Sequence, residues 1–155
     1  MVAFEVTEVK TSDCTQNASN QVQCFDPESL SIAQNIGRWT IDYTGDKFVL
    51  TTASGETMPG LHFSDNGRVI SDTCIGEGGQ CHFARTRVDS LDPASGCFVI
   101  EDRVIDVRVV EGVLSGTRSE VRFIEGCDQA SVREVVTNVS GEVLDEPVLA
   151  REVAE

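Results

Sequence analysis

The sequence predicts an all-β fold, a small antiparallel up-and-down barrel of about eight strands that is stapled by disulfides. Three observations predict this class: apolar residues alternate with period two after Gly37, turn residues interrupt the pattern at intervals of about ten to fifteen residues, and the chain has six cysteines. At 155 residues the chain fits one domain, and its 40% hydrophobic and 25% charged residues are typical of a globular protein.

Residues 1–35 are expected to pack on the barrel as an N-terminal strand, a disulfide loop and a short helix. Alternating apolar side chains indicate the strand, over residues 1–9. Residues 10–26 are polar and irregular. The run Asp26-Pro27-Glu28 has the residue types that begin a helix, so a short helix is expected after it.

Residues 36–140 are expected to form the barrel. Because every connection is short, strands that are neighbours in sequence should be antiparallel neighbours in space. Closure into a barrel is preferred to a sandwich, since it removes the exposed sheet edges. Residues 141–155 are expected to form an acidic tail or a short helix. The eight expected strands are 37–44, 47–53, 58–64, 67–74, 81–89, 97–110, 113–126 and 131–139.

The six cysteines predict three disulfides: Cys14–Cys24, Cys74–Cys81 and Cys97–Cys127. A hairpin around residues 75–80 sets Cys74 opposite Cys81, and a hairpin centred on Gly112 sets Cys97 opposite Cys127, both within disulfide range. The Gly112 register also opposes Val99 and Glu125, so a bulge is expected near Asp102-Arg103. Cys-x2-Cys spacing is absent, and unpaired core thiols would need six coincidences of burial, so zinc sites and free thiols are disfavoured.

An even set of disulfide-forming cysteines indicates an oxidising compartment. We therefore expect a secreted, periplasmic or cell-envelope protein whose signal or lipid-anchor segment is absent from this numbering. The formal net charge of −14 opposes binding to nucleic acid or to anionic lipid. No apolar run is long enough for a transmembrane segment, and the oligomeric state is left open.

Gly37-Arg38-Trp39 stands at the head of the first expected barrel strand. It resembles the Gly-x-Trp opening of the calycins, the group that holds lipocalins, fatty-acid-binding proteins and avidins. The resemblance implies that Trp39 closes one end of the barrel beneath a basic side chain from the last strand, for which Arg133 is the candidate. Avidin-like biotin binding needs several tryptophans, and Trp39 is the only one here.

The expected function is that of an exported binding protein with a small apolar or amphipathic ligand inside the barrel. No cofactor is expected. The alternative is a protein- or glycan-interaction module, such as an inhibitor or a cell-envelope recognition domain, that uses its loops, including the glycine-rich 75–80. The residues predicted to line the ligand site are Tyr43, Phe48, Leu61, Phe63, Phe83 and Phe123.

Neither an enzyme nor a metal site is predicted. His62 and His82 each precede a phenylalanine that is expected to face inward, so alternation turns both histidines outward or toward the opposite face. No Gly-x-Ser-x-Gly turn accompanies them, and the use of Cys81 as a metal ligand would leave Cys74 without its partner.

Overall fold

The structure is a computed structural model that describes residues 1–26, 28, 34–64 and 80–144, with the backbone alone at Phe63 and Ser64. This part of the chain is all β, as predicted. Its strands are β1 (Val2–Asn17), β2 (Val22–Cys24), β3 (Gln34–Thr44), β4 (Lys47–Thr51), β5 (Thr57–Ser64), β6 (Gln80–Leu91), β7 (Phe98–Val110), β8 (Val113–Glu125) and β9 (Ser131–Val143).

Eight of these strands close into an antiparallel barrel. β1 and β3 through β9 pair in order, and β1 pairs with β9 to complete the wall. The short β2 continues the line of β3 along the other side of β1, where Cys14 opposes Cys24. The predicted fold class is therefore confirmed.

The N-terminal strand is longer than predicted and belongs to the barrel wall. β1 extends through Asn17 and pairs with β9 from Phe4 to Asn17, so most of the irregular segment expected over 10–26 is strand. One extra residue, Thr11, interrupts this ladder as a bulge, and the side chains that face inward are even-numbered before it and odd-numbered after it.

The predicted pairing around residues 67–74 differs from the structure. β5 pairs directly with β6, and Cys81 has Phe63 on one side of its ladder and Arg108 on the other. Both ladder positions beside Cys81 are therefore occupied by β5 and β7. Residues 65–79 themselves are outside the described part of the chain.

The hairpin between β7 and β8 has a different register from the one predicted. Val110 opposes Val113, so the turn is Glu111-Gly112, and both residues have positive φ, at 49° and 78°. This geometry is typical of the two-residue turns that match strand twist. Val99 now opposes Ile124, and no bulge is needed near Asp102-Arg103.

Two of the predicted disulfides are described directly. Cys14–Cys24 joins ladder partners of β1 and β2, and Cys97–Cys127 joins the residues just outside β7 and β8. Cys81 is also disulfide-bonded, while Cys74 lies outside the described residues. Disulfides are typical of extracellular and other oxidising compartments. Within the described ranges, no helix is long and apolar enough to cross a membrane.

One half of the barrel interior is apolar and packed with the chain's own side chains. The buried cluster is Phe4, Val6, Trp39, Ile41, Phe48, Leu50, Met58, Ala84, Ile105, Val107, Leu114 and Val139. Gly60 is required here, because a Cβ at this position would lie 2.6 Å from Cζ of Phe48. This half of the interior therefore serves as the core.

The N-cap predicted at Asp26 has its expected hydrogen bond, since Asp26 Oδ1 accepts from the Glu28 N–H at 3.0 Å. The rest of the expected helix falls outside the described residues. β9 extends to Val143, into the predicted tail, and residues 145–155 are also outside the described part.

Candidate functional site

The other half of the interior is polar and opens sideways to solvent. β6 pairs with β7 along its whole length but with β5 only over residues 80–84, so that ladder ends beside Pro59, which has no N–H to donate. The β4–β5 hairpin turns at residues 52–56. Beyond that hairpin the longer strands β6, β7, β8, β9 and β1 continue as a concave sheet.

We call the concave surface of this sheet the charged trough. Its side chains alternate with the outward ones, in register with buried Ile105 on β7, Leu114 on β8 and Val139 on β9. The charged residues that face it are Glu8, Lys10, Asp13, Glu56, Glu101, Arg103, Arg118, Glu120, Arg122 and Arg133.

Ion pairs cross the trough where it meets the apolar core. Arg118 on β8 donates to Glu8 of β1 at 3.2 Å and to Glu56 at 2.7 Å. It also pairs with Glu120 at 3.0 Å. Arg103 on β7 donates to the second oxygen of Glu56 at 2.8 Å. Glu56 therefore ties the tip of the β4–β5 hairpin to the opposite wall of the barrel.

Asp13 and Arg133 form a second ion pair farther along the trough. Arg133 Nε and Nη2 donate to the two carboxylate oxygens of Asp13 at 2.9 and 2.7 Å. The hydrogen bond from Arg133 lowers the pKa of Asp13, and the nearby charge of Lys10 acts in the same direction. Asp13 is 3% exposed but Arg133 is 48% exposed, so the guanidinium extends into solvent.

Arg122 lies directly opposite Arg133 across the β8–β9 ladder. Two like charges in directly opposed positions are destabilising. Within the described ranges, Arg122 has no carboxylate within 4 Å, and Glu101, its other ladder neighbour, pairs with Arg103 at 3.5 Å. The five N–H groups of Arg122 and the three that Arg133 does not give to Asp13 are available to a ligand.

A cavity of about 140 Å³ lies over this arginine pair. Pockets for drug-sized ligands usually measure about 300 Å³ or more, so this cavity suits one small polar group. Its lining residues are Glu101, Asp102, Arg103, Glu120, Val121, Arg122, Arg133 and Val135.

A cluster of aromatic and histidine side chains lies at the other end of the barrel. The rings of His62 and His82 stack 5.7 Å apart, and both contact Tyr43 and Phe48. The predicted outward orientation of the histidines is therefore wrong. Gly60 lies two residues before His62 on β5, and Ala84 lies two residues after His82 on β6. Both face the narrow core, so the histidines, two positions away, lie on the same inward side of the sheet.

His82 is held neutral in this cluster. It is 2% exposed, and burial lowers its pKa from 6.5 to about 4. Its Nδ1 donates to the Gln80 carbonyl at 3.1 Å, so Nε2 accepts from the Tyr43 hydroxyl at 2.7 Å. Both ring nitrogens are thus used in hydrogen bonds within the chain, and the arrangement stabilises the fold without offering a free base.

The structure separates the residues predicted to line an apolar ligand site. Tyr43 and Phe48 face the interior, as expected. Leu61 is 42% exposed, and alternation with buried Ala84 and Leu114 places Phe83 and Phe123 on the outer surface. The inward orientation predicted for these three residues is wrong. The side chain of Phe63 lies outside the described part.

Trp39 is fully buried in the core, but Arg133 does not cover it. Phe4 opposes both Trp39 and Val143, and Arg133 lies ten residues along β9 from Val143, a distance of about 30 Å along the strand. The role that the calycin resemblance implied for Arg133 is therefore wrong, and this residue belongs to the charged trough.

Sequence reasoning missed Arg103, Arg118 and Arg122. The available signal was the period-two spacing of Arg118, Glu120 and Arg122, which puts three charges on one face of a strand. The outward face of the same strand carries Val121 and Phe123, so hydrophobicity alone favoured the wrong face.

In the part of the chain that the structure describes, no group of three His, Cys, Asp or Glu side chains is arranged to hold a metal ion. Comparison with known proteins gives no match to a family model, a curated protein or a solved structure. An eight-stranded closed barrel is consistent with a binding protein, and it is also compatible with a calycin-like fold.

Proposed function

We propose that the protein is a binding protein that captures an oxyanion group, such as a carboxylate, sulfate or phosphate, between Arg122 and Arg133 in the charged trough. The observation that carries the proposal is the directly opposed arginine pair, in which Arg122 has no carboxylate within 4 Å among the described residues. An oxyanion there would relieve the repulsion between the two guanidinium groups and accept paired hydrogen bonds from them.

The electrostatics of the trough support an anionic group in a protein that is strongly acidic overall. Five of the chain's twelve basic residues face the trough, although the whole chain has 26 acidic residues. The trough itself carries five bases and five acids, so it is far less negative than the rest of the protein. Arg122 and Arg133 are both exposed, so a small oxyanion in the trough can reach both guanidinium groups from solvent.

The apolar or amphipathic ligand predicted from the sequence has less support. Tyr43 and Phe48 do face the interior, but that half of the barrel is occupied by the buried cluster of the core. The alternative of an interaction module remains compatible with the oxyanion site, since the captured group can belong to a free small molecule or to a larger partner.

The test is isothermal titration calorimetry of the purified protein with sulfate, phosphate and succinate, with glycerol as the neutral control. We expect saturable binding of at least one anion, weakened about tenfold or more by Arg122→Gln. The matched control is Arg38→Gln, which removes an exposed arginine from the outer surface of β3, away from the trough. An equal loss in both variants, or no saturable binding to any anion, would contradict the proposal.

A further inference from the structure

The rim of the lateral opening is formed by the second half of β6. Residues 85–91 of β6 pair with β7 on one side, and within the described ranges they have no strand on the other. Val88 and Leu91, at the middle and end of this segment, are each 56% exposed. Such an edge presents a row of free backbone N–H and C=O groups, which is a template for pairing with another strand.

We propose that this edge pairs with the same edge of a second copy of the chain, antiparallel and about a two-fold axis at Val88. The inference is independent of the oxyanion site. An antiparallel pairing of this kind puts residue i of one copy opposite residue j of the other and j opposite i. With the axis at Val88, Arg87 of each copy faces Asp89 of its partner, and Thr86 faces Ser90.

Charge complementarity selects this register. If the axis passed between two residues, each inward-facing residue of one copy would oppose an outward-facing residue of the other. Opposed residues in an antiparallel pair share a face, so with both troughs on the same side the axis must pass through a residue. An axis at Arg87 opposes two arginines, and an axis at Asp89 opposes two aspartates. The axis at Val88 opposes Arg87 and Asp89 twice, opposes no like charges within residues 85–91, and places the two exposed Val88 side chains in contact.

Arg87 and Asp89 lie where they can make these contacts. They lie on the outer face of β6 and are bonded to each other, with Arg87 Nε donating to Asp89 Oδ1 at 3.0 Å. Each is about half exposed. In the dimer, each Arg87 would bond to Asp89 of the other copy in place of its own Asp89, so every charge keeps a partner. The backbone hydrogen bonds between the two edges are then the interaction that the dimer gains.

The repulsion between two copies of net charge −14 opposes association. At physiological ionic strength the Debye length is about 8 Å, so charges far from the edge contribute little while the opposed pairs at the edge are hardly screened. The measurement therefore belongs at that ionic strength, by sedimentation equilibrium over a concentration series.

Two single variants and their double variant test the register. Arg87→Asp and Asp89→Arg each oppose like charges twice in the dimer, and we expect each to raise its dissociation constant about tenfold. The double variant Arg87→Asp/Asp89→Arg restores opposite charges and should dimerise within about threefold of wild type. Asp42→Arg is the control for Asp89→Arg. It makes the same aspartate-to-arginine change on the outer surface of β3, away from the edge.

Wild-type dimer, weaker single variants and a restored double variant would establish the edge as a self-association surface. A wild-type protein that stays monomeric at every concentration overturns the proposal. Single variants that dimerise as wild type does would also overturn it, because the interface then lies elsewhere.

Discussion

His82 shows at the scale of one residue how burial decides the state of a side chain. In the neutral form with a proton on Nδ1, its position between Tyr43 and the Gln80 carbonyl satisfies both ring nitrogens. Desolvation penalises the charged form, which lowers the pKa of the imidazole to about 4. The folded protein therefore keeps a neutral histidine at pH values where the unfolded chain would protonate it.

This difference predicts a stability change between pH 6.5 and 4. Over that interval the unfolded chain binds a proton at His82 and the folded chain does not, so stability falls as the pH falls. The loss approaches about 3 kcal/mol near pH 4, at about 1.4 kcal/mol per unit. Urea unfolding of wild type and His82→Gln at a series of pH values checks it, and an equal slope in both proteins would contradict it.

The histidines also show why the inward face of β5 and β6 could not be predicted from hydrophobicity. One face carries Leu61 and Phe83, and the other carries His62, His82 and Ala84. The more apolar face was expected inside. The structure places it outside because the core at this level has room only for the small residues Gly60 and Ala84 beside Phe48.

At the scale of the element, the β4–β5 hairpin depends on one carboxylate at its tip. Glu56 accepts from Arg103 and from Arg118, two charge-assisted bonds to strands that are not its neighbours in the sheet. These bonds hold the short hairpin over the boundary between the apolar core and the charged trough.

Glu56→Gln should therefore destabilise the fold by about 1.5–3 kcal/mol, because it weakens both bonds and leaves two arginines short of a charge partner. The matched change Glu101→Gln removes a more exposed carboxylate that pairs with Arg103 at 3.5 Å, and it should cost less than about 1 kcal/mol. Chemical denaturation of both variants checks the difference. Equal effects would show that the tip contacts contribute no more than a surface pair.

The hairpins were largely predictable because turn residues are local signals. Gly45-Asp46 and the glycine at 112 located their turns to within a residue. The one-residue error at Glu111-Gly112 arose because the hairpin was centred on Gly112 alone, a register that also makes Cys97 and Cys127 ladder partners. In the structure this disulfide forms beyond the strand ends, where Gly126 adopts a positive φ of 77°.

At the scale of the whole molecule, the pairing of β1 with β9 that closes the barrel could not be predicted from the sequence pattern. β1 meets β9 across more than a hundred residues of chain, and neither spacing nor turn chemistry reports such a long-range pairing. The same closure brings Asp13 to Arg133, so the charged trough could not be assembled from local signals even though its charges alternate visibly on β8.

We propose that the charged trough binds an oxyanion through Arg122 and Arg133. Side-chain Nε–Hε resonances of arginine, followed by two-dimensional NMR during titration with the best anion from calorimetry, test it directly. We expect the resonances of Arg122 and Arg133 to shift together and saturably, while that of Arg38, on the outer surface of β3, stays in place. Shifts spread evenly over all arginines, or confined to residues outside the trough, would contradict the claim.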